Sequence, residues 1–135
     1  MIQQLSIFAP NVKGSMVQIT KLVSDAGIDI FNVVTNDSAE FGIVRMLVTE
    51  PQRAHDILKE NGYMCNLNKV IGVKISDEVG SLTKLLTDIS NCNINIDYLY
   101  VSYSRDSKTP VAVLHAPGYA ELEESLRFQG YEIIK

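Results

Sequence analysis

Apolar residues at Leu5, Ile7 and Ala9 alternate with Gln4, Ser6 and Phe8, and Ile71, Val73 and Ile75 alternate in the same way with Gly72, Lys74 and Ser76. A period of two marks a strand with one face on a core, so both segments are predicted strands. After Gly14 and Gly80 the spacing lengthens to three and four. Met16, Ile19, Val23 and Ala26, and then Leu82, Leu85, Ile89 and Cys92, each form one buried stripe of a helix. The residues that follow, Gly27 and Asn93, are the two types that best tolerate the left-handed conformation at a helix C-terminus. Residues 28–34 and 94–101 read as strands, ended by the polar turns Asn36-Asp37-Ser38 and Arg105-Asp106-Ser107-Lys108. Residues 42–48 and 111–115 return from those turns as the second strands of hairpins. Pro51 and the Pro117-Gly118 pair then introduce second helices, with Ala54, Ile57 and Leu58, or Leu122 and Leu126, facing inward. Gly62-Tyr63 and Gly130-Tyr131 close those helices and begin a last short strand.

The chain is therefore a repeat. Residues 12–16 and 26–30 return as 78–82 and 92–96, an offset of 66 that becomes 68 after the hairpin, which is two residues longer in the second copy. Self-similarity at a fixed period means that each copy is one structural unit. Each reads strand, helix, strand, strand, helix, strand. Right-handed crossovers then place both helices on one face of a four-stranded antiparallel sheet, so the expected fold is α+β, two ferredoxin-like βαββαβ units in tandem. The expected domains are residues 1–68 and 69–135, with the boundary near Lys69. Units of this size are marginal alone, so the copies are expected to pack against or join one another.

Composition removes several function classes. With 46% hydrophobic and 21% charged residues the chain can build a core and lacks the bias of disordered or fibrous sequences. A net charge of -4, a pI near 5.1 and the lack of any Lys/Arg-rich run oppose binding to phosphate backbones, so nucleic acid is not an expected partner. The first residues carry no charged leader or sustained apolar stretch. No segment approaches the roughly 18 unbroken apolar residues that cross a bilayer, so no membrane role is expected and the default compartment is the cytoplasm. Cys65 and Cys92 lie 27 positions apart with no CxxC spacing, which suits neither a redox motif nor a zinc site. No cofactor and no metal is expected, and Cys92 is expected in the core.

The informative chemistry lies between the first strand and first helix of each copy. Asn11-Val12-Lys13-Gly14, followed by Ser15, and Asp77-Glu78-Val79-Gly80, followed by Ser81, place a short polar side chain three residues before a glycine that opens a helix. Such a helix start offers backbone N–H groups and a positive dipole end to a carboxylate, and the glycine admits a ligand close to the backbone. Ordinary structural roles compete with this reading. Asn11 and Asp77 also suit capping or turn positions, and Asp29 and Asn95 suit the outward face of a strand. His115 aligns with Leu47 and reads as a strand residue packed on a neighbour, while His55 falls on an exposed helix face. Tyr98, Tyr100 and Tyr103 suit either a pocket or an interface.

From about Leu5 to Ile134 the chain resembles the ACT domain, in two tandem copies. The resemblance rests on the polar-to-glycine loops at Asn11–Gly14 and Asp77–Gly80 and on the Gly27-Ile28-Asp29-Ile30 and Asn93-Ile94-Asn95-Ile96 segments. Lys13 and Val79 stand where that family commonly has proline, a departure that loosens the loop. The resemblance implies a regulatory module that binds a free L-amino acid at the interface between two copies, often within a continuous eight-stranded sheet. It further implies a free-standing sensor without a catalytic domain, expected to form a homodimer and to act on a regulated protein. On this reading the N–H groups around Gly14 and Gly80, within loops that include Val12, Lys13, Ser15, Glu78, Val79 and Ser81, hold the ligand carboxylate. Asn11, Asp77, Asp29 and Asn95 take its ammonium group or side chain. If each site joins the loop of one copy to the strand of the other, one site holds Asp77 with Asp29 and the other Asn11 with Asn95. The first favours a cationic ligand end, hence a basic amino acid or histidine. Two other classes stay open: a dimerisation module that needs no ligand, and an acylphosphatase-like enzyme of the same topology. The enzyme needs a loop arginine, whereas Lys13 is the sole cation in these loops, and no nucleophile-base pair is apparent, so catalysis is not expected.

Overall fold

The computed structural model describes residues 2–10, 12–36 and 41–134, so Asp37 and Ser38 of the first predicted turn lie outside the described residues. Its elements are β1 (Ile2–Pro10), α1 (Ser15–Asp25), β2 (Ile30–Asn36), β3 (Phe41–Val48), α2 (Pro51–Glu60) and β4 (Cys65–Lys74). They continue as α3 (Ser81–Asn91), β5 (Tyr98–Tyr103), β6 (Pro110–His115), α4 (Tyr119–Phe128) and β7 (Ile133–Ile134). The chain divides into two compact units, Gln3–Asn68 and a second built on Lys69–Lys135. β4 runs through this boundary as one strand, where two separate strands were expected. The reason is local: residues 65–71 contain no glycine or proline to interrupt an extended backbone.

In the first unit β3 lies between β1 and β2, with Leu5 opposite Met46, Ile7 opposite Val44, and Val33 opposite Met46. The start of β4 borders β1, where the Phe8 N–H donates to the Met64 carbonyl at 2.9 Å and the Ser6 hydroxyl to Asn68 Oδ1 at 2.7 Å. The alternation in β1 sends Leu5, Ile7 and Ala9 to one face. There they meet Ile19 and Val23 of α1 and Ala54 and Leu58 of α2. Both helices therefore cover the same face of an antiparallel sheet.

The second unit repeats the plan. β6 lies between β4 and β5, with Ile71 opposite Leu114, Val73 opposite Ala112, and Leu99 opposite Leu114, while β7 pairs with β4 at Gly72 and Val73. Its core joins Ile71, Val73, Ala112 and Leu114 to Leu85 and Ile89 of α3 and to Leu122 and Leu126 of α4. Each fully buried Leu or Ile contributes roughly 1.5–3 kcal/mol by leaving water. The chain is thus α+β, two ferredoxin-like units in tandem. Gly27 and Asn93 occupy the left-handed region that the helix ends require, at φ 76° and 59°.

Two side chains differ from expectation. Cys92 lies outside the core, in the residue that caps the C-terminus of α3. Its thiol donates to the Asp88 carbonyl at 3.2 Å and meets Ser125 Oγ at 3.0 Å, because the buried stripe of α3 ends at Ile89. His55 is half-buried rather than on an exposed face, its Nδ1 3.2 Å from Asp56 Oδ1. Among the described residues no helix is long and apolar enough to cross a membrane, and no three metal-ligating side chains cluster.

Candidate functional site

The glycines that end the two loops after the first strands have nearly the same backbone angles. Gly14 opens α1 at φ 88° and ψ -4°, and Gly80 opens α3 at φ 88° and ψ -3°. This left-handed conformation favours glycine, and among the described residues beyond the chain neighbours nothing lies within 4 Å of where a Cβ would project from either one. In each loop the first helical serine reaches back five residues. The Ser15 hydroxyl donates to the Pro10 carbonyl at 2.7 Å, and the Ser81 hydroxyl to the Ser76 carbonyl at 2.6 Å. Each serine N–H points to the carbonyl of the residue three before it, Val12 or Glu78, at 3.3 Å. Ser15 is consequently buried, with its hydroxyl committed to holding the loop.

Among the described residues no side chain caps either helix start, and neither first turn carries an acidic residue. Both positive dipole ends therefore keep their capacity to attract an anion. Val12 and Lys13 are exposed in one loop, and Asp77, Glu78 and Val79 in the other. Asn11 lies outside the described residues. The backbones match, but their charges oppose: the first loop carries a lysine, the second an aspartate and a glutamate.

Asp29 and Asn95 are exposed at the other ends of these helices. An 11-residue helix is about 16 Å long at 1.5 Å per residue, so neither copy by itself brings its loop and its strand residue together. The Asp29 N–H donates to Thr49 Oγ1 at 3.1 Å, and the Thr49 N–H returns a bond to the Asp29 carbonyl at 3.0 Å. In the second copy the corresponding anchorage is at Asp97, whose N–H donates to the His115 carbonyl at 2.8 Å. The Asp97 carboxylate also sits 2.8 Å from His115 Nδ1, and the imidazole stacks on Tyr98 with ring centres 5.0 Å apart and planes 2° from parallel. Sequence reasoning placed His115 against a neighbour but singled out neither Asp97 nor Thr49. The meeting of Asp97 and His115 depends on strand register, which sets Tyr98 opposite His115 as it sets Asn32 opposite Leu47 in the first copy.

A second polar cluster joins α3 to the last turn of the chain. The Tyr131 hydroxyl donates to the Asp88 carboxylate, and Lys84 Nζ lies 3.1 Å from that carboxylate and 5.1 Å from the centre of the Tyr131 ring. The Tyr131 hydroxyl first, and the Lys84 ammonium second, hold the Asp88 carboxyl below its ordinary range. The first copy makes a neutral version of this contact, with the Tyr63 hydroxyl donating to Gln18 Oε1 at 3.0 Å.

A family model described as an ACT domain pair matches residues 1–112, which takes in the first copy and the second as far as β6. The chain belongs to this family. ACT domain pairs are regulatory modules of an amino-acid-binding family. No curated protein matches this pair in sequence. Among solved structures, protein BT0572 from Bacteroides thetaiotaomicron superposes with a TM-score of 0.91 at 26% identity, covering 98% of this chain and 91% of that one. The ligand-free regulatory subunit of aspartate kinase from Thermus thermophilus superposes with a TM-score of 0.67 at 12% identity, covering 95% of this chain and 92% of that one. The corresponding subunit from Thermus flavus gives 0.65 at 14% identity, covering 93% and 90%. The two kinase subunits share the fold of this ACT domain pair.

Proposed function

We propose that this ACT domain pair is a cytoplasmic sensor that binds a free L-amino acid between ACT domains, one per copy at residues 1–68 and 69–135. It relays occupancy to a regulated protein and works as a homodimer. The observation that carries the reading is the repeated loop: a left-handed glycine opening a helix with no side-chain cap, found at Gly14 and again at Gly80. Backbone N–H groups in those loops take the ligand carboxylate, while Asn11, Asp77, Asp29 and Asn95 take its ammonium group or side chain. The ligand sits against Val12, Lys13 and Ser15 in one loop and Glu78, Val79 and Ser81 in the other. A site that combines Asp77 with Asp29 favours a basic amino acid or histidine, and one that combines Asn11 with Asn95 is neutral.

A thermal-shift screen of the twenty amino acids tests this directly. Ligand at 100 times its dissociation constant adds about 2.7 kcal/mol of stability, a readily measured rise in melting temperature. No shift with any amino acid at millimolar concentration sinks the proposal. That outcome leaves a ligand-independent dimerisation module, which the strands β2 and β5 favour: Phe31 and Val101 are each 48% exposed and Tyr103 57%. Such a module keeps the same oligomer size with and without amino acids.

A further inference from the structure

The two copies anchor the chain ahead of their second strands by different means. In the first copy Thr49 holds Asp29 from both sides, accepting its N–H and donating to its carbonyl. The equivalent position in the second copy is Pro117, because Glu50 and Gly118 are the respective residues that precede α2 and α4. Proline has neither an N–H nor a hydroxyl, so that clamp cannot form. Its work passes to residues two positions further along, where Asp97 is held at its N–H by the His115 carbonyl and at its carboxylate by the His115 ring. The first copy has Phe31 and Leu47 at those positions and cannot make this pair.

We propose that His115 is a positioning residue of the second copy, fixing segment 94–97 so that Asn95 presents its amide to an amino-acid ligand. The inference rests on the reading of Asn95 as a ligand contact. Segment 94–97 lies between Asn93, whose φ is 59°, and the first residue of β5, Tyr98, and belongs to no strand or helix. Its conformation depends on Ile94 and Ile96, which pack against the core on either side of Asn95, and on Asp97, both of whose bonds come from one residue. The imidazole is itself oriented by its stack on Tyr98. His115 is 27% exposed and Asp97 48%, and exposed pairs of this kind contribute little to stability. What the pair adds to that packing is direction at Asp97, two residues beyond Asn95: the ring bond to its carboxylate is the one a substitution of His115 removes, while the main-chain bond from its N–H stays.

The test titrates the full chain by calorimetry with each standard L-amino acid, in the wild type and in H115L, H115N, D97A, N95A and the N95A/H115L double variant. H115L installs the leucine of the first copy, and D97A alters an exposed side chain, so both variants fold. Expected is binding of at least one amino acid at a site that N95A weakens, with H115L and D97A each weakening the same site about tenfold. His115→Asn, whose side-chain N–H lies near the place of Nδ1, recovers most of the affinity. Adding H115L to N95A produces no further loss, since the histidine acts only through Asn95. Binding in H115L within about twofold of wild type, or an undiminished effect of H115L in the N95A background, overturns the positioning role while sparing the sensor reading. Binding of no amino acid to the wild type overturns both.

Discussion

At the helix-opening glycines the two copies are alike to within a degree of backbone rotation, and in the serine bond beside them to a tenth of an ångström. A helix length away, at the start of the second strand, they share almost nothing. One copy uses Thr49 against backbone atoms, and the other uses an aspartate, a histidine and a stacked tyrosine. Even within the loops the agreement stops at the backbone, since Lys13 in one faces solvent as Asp77 and Glu78 do in the other. The contrast separates two kinds of constraint. Where the backbone must adopt a left-handed turn and return a hydroxyl to a carbonyl, residue choice is narrow. Where a segment merely has to be held, any pair of groups within reach serves, and the copies are free to carry different chemistry.

The largest effects test how alike the copies are. Ile19 and Leu85 hold equivalent places in the two cores and are both fully buried. Ile19→Ala and Leu85→Ala should each cost about 2–5 kcal/mol, read by urea unfolding. Hydrogen exchange should locate each loss in its own unit. Protection lost equally in both units after a single substitution would contradict the two compact bodies.

Smaller effects are expected from Gly14→Ala and Gly80→Ala. No atom of the described residues beyond the chain neighbours obstructs the added methyl, so the cost is conformational, about 1–2 kcal/mol for a left-handed alanine, and should be equal in the two copies. Unequal costs in chemical denaturation would mean that one loop is held by contacts beyond its own backbone. The smallest effect sharpens the difference between copies. Asp88 titrates below its ordinary value in the fold, so its share of stability is present above the unfolded carboxyl pKa and is lost as pH falls through the lower folded one. Tyr131→Phe removes the leading cause and should move the Asp88 carboxyl upward in an NMR titration. The first copy, with Leu22 at the aligned position, has no counterpart to this step. An Asp88 titration that stays put would assign the shift to Lys84 instead.

The features legible in the sequence are those that depend on one residue at a time. A glycine and an asparagine at equivalent helix ends disclosed the left-handed position, and the stripe through Ile19, Val23, Leu85 and Ile89 disclosed which helix faces are buried. The features that were missed require two residues to meet. Asp97 and His115 are 18 positions apart and come together only through the register of β5 and β6. Cys92 continued the apolar stripe of α3 on paper, but the helix stops before it, and a half-exposed cap position suits a thiol bonded to a carbonyl. The place of Ser15 and Ser81 beside the glycines suggests ligand neighbours. That their hydroxyls hold the loop depends on distance to a carbonyl five residues back, which periodicity does not encode.

That serine bond also fixes the length of each helix-opening loop. A hydroxyl that must meet a carbonyl five residues upstream closes a ring of fixed circumference. One residue more or fewer at the helix start would turn the helix by about 100° and carry Ile19 and Val23 away from the sheet. The hairpin between β5 and β6 is closed by bonds of its own, from the Ser107 N–H to Ser104 Oγ at 3.3 Å and between Ser107 Oγ and Thr109 Oγ1 at 2.7 Å, but it sets no helix register. There the second copy accommodates its two extra residues, with Lys108 taking a left-handed bend at φ 55° and the Lys108 N–H closing on the Ser104 carbonyl at 2.8 Å. The two copies thus differ in length at a hairpin tip, where no helix register is at stake, and agree in length at both helix-opening loops.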